Sequence, residues 1–595
     1  MLLHRLNQLL SSTDPRIVRI RTSIWENDAL RESARFCVRM VRKVLNLPQA
    51  IKRLKASNET AKLKTFAAAR LQGGSLSLED IEALWGLQRY GGETLIDADP
   101  LERAQVAAIL DVLGVSRLTQ PPQPQAKWLY VISTARDSDE ELLARLQIGT
   151  PHAILRVGHG KRSAYADVVP AAPPHDEGSS LAERLERNER IHVVLLNDIG
   201  FLYGAGTALK RQAMSFLLKG WDVTSLAWTI DSEAQPPVIT GVDRKDNWKG
   251  FHRLVRRYPQ TMAEDLMIAD IVQELLLRKA DVVVTGNLHG VPYPLQLLTQ
   301  IRRAGIPVMT YMHDVYLLTG RCAQPLDCGK FRTGCDAQCP TPTEHPALPP
   351  EKIAPAWAKR AEVFTGPERV PLIANSHWTL GMVEQRFGAE ADKAVVHLAL
   401  DHERFAPLPQ ALARRLVGVK DERPLVLMGA ADIKDKWKGG ALFHEVYTAL
   451  QARDDVGVLL FGRLSESLES VKSFGLVDES VLPMILSAAD IFVSTTIADS
   501  FGQTLLEASS CGLPVVVPDV GGVKDVVVDG ETGFVTGPPS AASILAAIDR
   551  LLADPELRQR LGANGRRRAV EHYSLTVQAE AWVDCLKTLA CRTET

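Results

Sequence analysis

From residue 191 onward, the sequence alternates short apolar runs with longer segments of helical periodicity. The runs have the length and the Val, Ile and Leu content of strands that are buried on both faces. They lie at residues 191–196, 281–285, 307–311, 371–376, 425–429, 458–462, 490–494 and 515–518. Strand–helix alternation of this kind implies a parallel sheet with helices on both faces. The sequence therefore predicts an α/β fold with two doubly wound domains in tandem.

The region before residue 191 has a different character. Residues 1–125 predict a mainly helical, basic region that ends in a Pro-rich stretch. Residues 126–187 predict a small α/β segment followed by a polar linker, with strands near 128–133 and 152–157. The doubly wound domains then occupy 188–408 and 409–595. For a chain of 595 residues, domain-size statistics favour roughly three or four units.

Composition narrows the class of protein. The net charge of −2 gives no reason to expect a nucleic-acid partner. The sequence contains no run of about 18 apolar residues, so it predicts no membrane-spanning helix. Its first residues lack the apolar core and the cleavage site of a secretory signal. Eight cysteines in a chain of this length do not predict a disulfide framework. We therefore expect a cytoplasmic protein.

Basic residues are concentrated at the start of the chain. Residues 1–70 contain fifteen Lys or Arg against five Asp or Glu, a net charge of +10. Apolar residues alternate with these cations at helical spacing. Such a segment can lie on an anionic membrane surface, which gives peripheral contact with the inner face of the membrane. It can equally be a solvated helical face that packs on the rest of the protein, and we favour this second interpretation.

Residues 495–525 carry the pattern with the most chemical content. Asp499 and Glu507 are separated by seven residues, and Phe501 and Gly502 begin a helix between them. A glycine pair at 521 and 522 follows the apolar run 515–518, where open α/β sheets bind ligands. Carboxylates can accept hydrogen bonds from sugar and ribose hydroxyls, and free backbone N–H groups can receive a diphosphate. The alternative, surface acids on an ordinary strand–helix–strand unit, does not account for the whole pattern.

This pattern resembles the donor-site signature of retaining glycosyltransferases of family 4, also called group 1. The resemblance extends from residue 191 to near the end and is strongest over 425–540. It implies a GT-B fold, two Rossmann-like domains facing a cleft, and a nucleoside-diphosphate sugar as donor substrate. It also implies that catalysis needs no metal. Asp499 stands where the family usually has Glu, and Ala430 stands where it usually has Arg.

The resemblance assigns roles to individual residues. Lys438, followed by Gly439 at the start of a helix, would neutralise the diphosphate. Glu507 would hold the ribose and Asp499 the donor sugar. Lys434 or Lys436 would compensate for Ala430. Gly521 and Gly522 resemble the family's Gly-Gly turn, which serves both as a structural turn and as a donor contact.

Further candidates lie in the first doubly wound domain. Gly204 and Gly206 precede a helix, so backbone can approach a phosphate there, although such a turn is often only structural. His313 follows an apolar run and resembles the family histidine beside the bond that forms, with a purely structural histidine as the alternative. Residues 287–290 lie at a neighbouring strand end. Ser376 resembles a family turn and can also be a helix N-cap.

Half of the cysteines lie within 18 positions, at Cys322, Cys328, Cys335 and Cys339. Clustered cytoplasmic thiols suggest a tetrahedral, structural zinc site. Paired Cys-x-x-Cys spacing is missing, and disulfides or free thiols are the alternatives. The segment resembles an insertion in bacterial glycosyltransferases of the colanic-acid or exopolysaccharide type. The other four cysteines fit packing positions.

Together these features predict a retaining glycosyltransferase that moves a sugar to a saccharide or lipid-linked acceptor, in cell-surface polysaccharide synthesis. Asp499 and Ala430 leave open an alternative, a catalytically weakened GT-B scaffold that binds a sugar nucleotide.

Overall fold

The computed structural model describes four short strands between Glu93 and Arg156, together with residues 180–589 except 202, 230–235, 255–263, 292–293, 345 and 464–472. The basic segment 1–70 lies outside the described residues. The chain forms two compact units, Met1–Tyr165 and Ala166–Thr595. Each unit is described by itself.

The first unit contains a four-stranded parallel sheet in the order β2-β1-β3-β4. Its strands are β1 Glu93–Asp97, β2 Arg117–Leu118, β3 Leu129–Ser133 and β4 Ala153–Arg156. The two strands predicted near 128–133 and 152–157 are confirmed as β3 and β4. The prediction of a mainly helical 1–125 missed β1 and β2, which are too short for their apolar periodicity to separate them from helix. Because β1 pairs with β3, one sheet spans the boundary predicted at 125/126.

The second unit begins with a seven-stranded parallel sheet in the order β11-β10-β9-β8-β5-β6-β7. Its strands are β5 His192–Ile199, β6 Asp222–Thr229, β7 Trp248–Arg253, β8 Val282–Thr285, β9 Val308–Met312, β10 Leu372–Ala374 and β11 Lys393–Val395. β5 is an interior strand, in which Val194 pairs with Thr224 of β6 on one side and Val283 of β8 on the other. The central strands are buried along their length because helices cover both faces, as the continuous apolar runs predicted.

A five-stranded parallel sheet follows, in the order β13-β12-β14-β15-β16. Its strands are β12 Leu425–Asp432, β13 Gly457–Arg463, β14 Ile491–Val493, β15 Val515–Val517 and β16 Gly533–Val535. The four apolar runs predicted in this half are confirmed as β12 to β15. We call the two halves of this unit the seven-strand domain and the five-strand domain.

The helices of the second unit cover the two sheets. They are α1 Leu181–Glu186, α2 Tyr203–Leu218, α3 Glu264–Leu277, α4 Gln296–Arg303, α5 Lys330–Thr333, α6 Pro350–Thr365, α7 His377–Phe387, α8 Gln410–Leu416, α9 Gly440–Gln451, α10 Leu482–Ala488, α11 Gln503–Ser510, α12 Val523–Val526, α13 Ala541–Ala553, α14 Pro555–Tyr573 and α15 Leu575–Leu589. In the described part of the chain, no helix combines the length and the apolar character that crossing a bilayer requires.

The last helix, α15, packs on the seven-strand domain although it follows the five-strand domain in sequence. Trp582 is fully buried, with ring centroids 5.5 Å from Phe216 of α2 and 5.0 Å from Tyr311 of β9. Gln578 accepts a hydrogen bond of 2.7 Å from Ser215 of α2. The segment predicted as one domain over 409–595 therefore supplies part of the core of the preceding domain.

Candidate active site

The loops that follow β12 and β14 are joined by backbone hydrogen bonds. The carbonyl of Trp437 accepts a bond of 2.8 Å from the N–H of Ile497. Gly439 has φ +69°, and a Cβ there would lie 2.0 Å from the carbonyl oxygen of Thr495. Only glycine therefore permits this approach. The turn Lys436–Lys438 is fixed beside the segment that leads to Asp499.

Lys438 and Asp499 form an ion pair at this junction. Their Nζ and Oδ2 atoms are 2.9 Å apart. The carboxylate of Asp499 raises the pKa of Lys438. Burial alone would raise the pKa of Asp499, but the ammonium of Lys438 outweighs it, and the pKa of Asp499 is lowered. Both groups are therefore charged at neutral pH, and a cation lies where a diphosphate was predicted.

Asp499 also closes the turn that leads into α11. Its Oδ1 accepts bonds from the N–H groups of Phe501, at 3.1 Å, and Gly502, at 2.8 Å. The sequence predicted both residues as donor-binding positions. Here their N–H groups are occupied by Asp499, so they orient the carboxylate instead of facing an open phosphate site. A carboxylate beside a helix N-terminus is electrostatically stabilised.

The glycine pair packs directly on the backbone of Asp499. The N–H of Gly522 donates a bond of 2.9 Å to the Asp499 carbonyl. A Cβ on Gly521, which has φ +54°, would lie 1.8 Å from the same oxygen. A Cβ on Gly522 would lie 2.1 Å from the carbonyl of Ser500. The pair thus has the structural role predicted for it, fixing the position of Asp499.

Glu507 lies on α11 and faces the seven-strand domain. Its Oε1 is 2.6 Å from Nη2 of Arg211 on α2, and both side chains are buried. The same Nη2 lies 3.0 Å from Oε1 of Glu479. Burial opposes the charge of Arg211, but the two carboxylates outweigh it and raise the pKa of Arg211. The carboxylate expected to hold a ribose is therefore held by a guanidinium from the opposite domain.

Arg211 is the site residue that sequence reasoning missed. It lies within residues 208–217 of α2, all of which except Lys210 are buried. A charged residue in such a segment is a usable signal, because a buried arginine is rarely found without a partner. Glu479 is also contacted by Lys210, at 2.7 Å. Burial alone would raise the pKa of Glu479, but the charges of Arg211 and Lys210 outweigh burial and lower that pKa to about 2.

Gly204 and Gly206 lie in the first turn of α2. The carbonyl of Gly204 accepts a bond of 2.7 Å from Nε2 of Gln503, the first residue of α11. A Cβ on Gly206 would lie 2.5 Å from the carbonyl of Gly200. The structure therefore brings this turn to the start of α11, and Gly206 is required by the packing of the loop itself.

His313 follows β9 and is buried where the two domains meet. Its carbonyl accepts a bond of 2.6 Å from Oγ of Ser500, the residue after Asp499. Burial lowers the pKa of His313 to about 4, so the imidazole is neutral. Among the described residues, neither ring nitrogen has a hydrogen-bond partner, and Oδ1 of nearby Asn197 has none either. Unpaired buried polar atoms are costly, which is consistent with a polar ligand at this position.

A second histidine lies at the same edge of the sheet. Nε2 of His289 is 3.2 Å from Oδ2 of Asp314, and Nδ1 is 3.5 Å from Oδ2 of Asp198. Burial would lower the pKa of His289, but the carboxylates outweigh it and raise the value. The sequence analysis placed His289 and His313 at neighbouring strand ends; the contacts of His289 with Asp198 and Asp314 appear only in the fold.

Three other predicted positions have different surroundings. Lys434 is exposed. Lys436 pairs with Glu344 and lies 4.0 Å from the centre of the Trp437 ring. Neither lysine is placed against Asp499 as Lys438 is. Ser376 caps α7 by accepting a bond of 3.0 Å from the N–H of Thr379, which confirms the helix-cap interpretation.

The four cysteines of the 322–339 segment are partly exposed free thiols. Burial raises the pKa of Cys335 to about 11 and also raises that of Cys322. Within the described residues, no three of the four sulfurs lie within 4.8 Å of one another. The thiols as arranged therefore do not fit a tetrahedral metal site, in which thiolates converge on one ion, and zinc at this segment stays a prediction.

Comparison with known proteins gives a family match for the five-strand domain. Residues 433–568 match the family model of glycosyl transferases group 1. Over this segment the chain is similar to group 1 glycosyltransferases. The segment includes Lys438, Asp499 and Glu507.

The chain is also similar to curated enzymes. It is 34% identical over 204 residues to alpha-maltose-1-phosphate synthase of Mycolicibacterium smegmatis. The matched segment covers 33% of this chain and 45% of that protein. It is 30% identical over 223 residues to D-inositol 3-phosphate glycosyltransferase of Kribbella flavida. The matched segment covers 34% of this chain and 51% of that protein. The chain thus spans about half the length of these relatives.

Among solved structures, sucrose-phosphate synthase from Thermosynechococcus elongatus superimposes with a TM-score of 0.50 at 18% identity, over 68% of this chain and all of that one. At this identity the likeness concerns the fold alone. The fold is GT-B, as the sequence predicted.

Proposed function

We propose that this chain is a retaining glycosyltransferase that moves a sugar from a nucleoside-diphosphate sugar to a hydroxyl of a saccharide or lipid-linked acceptor, in cell-surface polysaccharide synthesis. One observation carries the proposal. Ser500 connects the charged Lys438–Asp499 pair to His313, whose neutral imidazole has no hydrogen-bond partner among the described residues. These groups follow the carboxyl ends of strands in both sheets. This is the place where open α/β sheets bind ligands.

In this proposal Lys438 stabilises the diphosphate as negative charge develops on it. Asp499, fixed by its bonds to the N–H groups of Phe501 and Gly502 and by the glycine pair, accepts hydrogen bonds from the donor sugar. Glu507, held by Arg211, receives the ribose hydroxyls. His313 is neutral at physiological pH, so it can donate one hydrogen bond and accept another at the reacting sugar without adding a charge.

The reaction requires no protein nucleophile. The bond from the anomeric carbon to the diphosphate oxygen breaks while a bond to the acceptor oxygen forms on the same face. The acceptor proton passes to the leaving diphosphate. Retention of configuration follows from this geometry, and the family resemblance supports it.

A second candidate function is a sugar-nucleotide-binding scaffold with weakened catalysis. Two observations favour it: Ala430 stands where an arginine is usual, and the N–H groups of Phe501 and Gly502 are occupied by Asp499. The scaffold predicts nucleotide binding without turnover.

Incubation of the full chain with UDP-, GDP- and ADP-sugars separates the two candidates, with release of free nucleotide as the readout. The enzyme releases nucleotide with at least one donor, and Lys438→Ala reduces the release by roughly a hundredfold, as removal of one transition-state donor does. Lys420→Ala, which removes an exposed lysine of the same domain outside the candidate site, is the matched control and retains wild-type release. Binding of a nucleotide in a thermal-shift assay with no release from any donor establishes the scaffold instead.

A further inference from the structure

A cluster of three metal-ligand side chains lies outside the residues assigned to the donor and the acceptor. It consists of His377 at the start of α7, His397 just after β11, and Asp525 of α12. Oδ2 of Asp525 is 2.9 Å from Nε2 of His397 and 3.1 Å from Nδ1 of His377. The three ligand atoms all lie within 4.8 Å of one another, the one such group found among the described residues.

From this geometry we propose that His377, His397 and Asp525 bind a divalent transition-metal ion of the zinc type. Two imidazoles and one carboxylate are a ligand set that zinc takes in proteins, with the remaining position open to water. Tetrahedral zinc with bonds of about 2.0–2.1 Å places its ligands about 3.4 Å apart. When the three groups bind zinc, the nitrogen–oxygen distances, now 2.9 and 3.1 Å, therefore have to increase by only a few tenths of an ångström.

The cluster is both accessible and supported. The side chain of His377 is 70% exposed, which gives an ion an entry path, whereas those of His397 and Asp525 are 26% and 9% exposed. The ring of His397 packs edge-on against Tyr573, with centroids 5.5 Å apart. The backbone carbonyl of Asp525 accepts a bond of 2.7 Å from Arg568. Fixed ligand orientation of this kind favours metal binding.

The ion would join the two domains of this unit, because both histidines belong to the seven-strand domain and Asp525 to the five-strand domain. Asp525 is also linked to the candidate active site. Its N–H donates to the carbonyl of Gly522 at 3.1 Å, and the N–H of Gly522 donates to Asp499 at 2.9 Å. The site differs from the cysteine segment 322–339, and it is independent of the proposed transferase activity.

Zinc binding to the purified, metal-free full chain tests this inference, with a competing chelator used to measure affinity. We expect His377→Ala and His397→Ala each to weaken zinc binding at least about tenfold. His444→Ala, which removes an exposed histidine of α9, is the matched control and keeps wild-type affinity. Because His377 is exposed, its substitution leaves the fold intact, and an unchanged melting temperature without zinc verifies this.

The double variant Cys328→Ser/Cys339→Ser separates the cluster from the cysteine segment. It is expected to bind zinc at the His377–His397–Asp525 cluster with wild-type affinity. The inference is overturned if the wild type binds no zinc, if both histidine variants keep wild-type affinity, or if the cysteine variant alone abolishes binding.

Discussion

At the scale of single residues, the glycine pair after β15 and His313 have unusual surroundings. The neighbours of the two glycines leave no room for a side chain. His313 is buried, and neither of its ring nitrogens has a hydrogen-bond partner among the described residues. Each feature makes a prediction that a matched control can isolate.

Gly521→Ala is expected to destabilise the protein by at least about 1–3 kcal/mol, because the new methyl group would lie 1.8 Å from the carbonyl oxygen of Asp499 at φ +54°. Gly537→Ala is the control: its φ is +78°, with no atom within 4 Å of the added carbon. That change carries only the backbone cost of about 1 kcal/mol. Urea unfolding measures both, and equal losses would contradict steric contact as the cause.

His313 makes stability depend on pH in a defined window. Because its pKa is about 4 in the folded protein and about 6.5 when unfolded, the unfolded state binds more protons between these values. The contribution is present in full above pH 6.5 and is lost as the pH falls towards 4. The shift corresponds to roughly 3 kcal/mol.

His313→Gln removes this titration. We expect the difference in unfolding free energy between wild type and variant to shrink by up to that amount from pH 7 to pH 4, measured by denaturant unfolding at each pH. A difference that stays constant across the window would show that His313 does not titrate with a lowered pKa.

At the scale of elements, helix α15 shows what sequence patterns leave undetermined. Its apolar periodicity predicts a helix but not the domain against which the helix packs. Trp582→Ala is expected to cost about 3–5 kcal/mol, because the indole is fully buried between Phe216 and Tyr311. Val577→Ala, at a position 39% exposed on the same helix, is the control and is expected to be nearly neutral. Comparable losses in thermal unfolding would contradict the packing described.

The rest of the fold and of the site likewise divides into features that the sequence predicts and features that it leaves undetermined. The strands at 425–429 and 515–518 were predictable because buried parallel strands read as continuous apolar runs. The positions of Asp499 and Lys438 in the candidate site were predicted from the family resemblance, together with the strand ends and glycines beside them. The Arg211–Glu507 contact was not predictable, because nearly 300 residues separate its partners and no local pattern encodes such a pairing. β1 and β2 were missed because their apolar runs are very short.

At the scale of the whole molecule, a buried ion pair joins the two domains of the second unit. Arg211→Met leaves Glu507 and Glu479 without their shared guanidinium, and removing one partner of a buried pair costs about 3–5 kcal/mol. We expect Glu507→Gln in the Arg211→Met background to recover part of that loss, since it removes one uncompensated charge. A double-mutant cycle in urea measures the coupling. Strictly additive losses would contradict a direct interaction.

The return of α15 to the seven-strand domain has a consequence for how the protein is made. The face of α2 that carries Phe216 is covered by Trp582, which leaves the ribosome only after all five strands of the second sheet have been synthesised. The usual order, in which an earlier domain completes its folding during translation, therefore does not apply here. The seven-strand domain keeps an apolar surface uncovered until α15 has been synthesised.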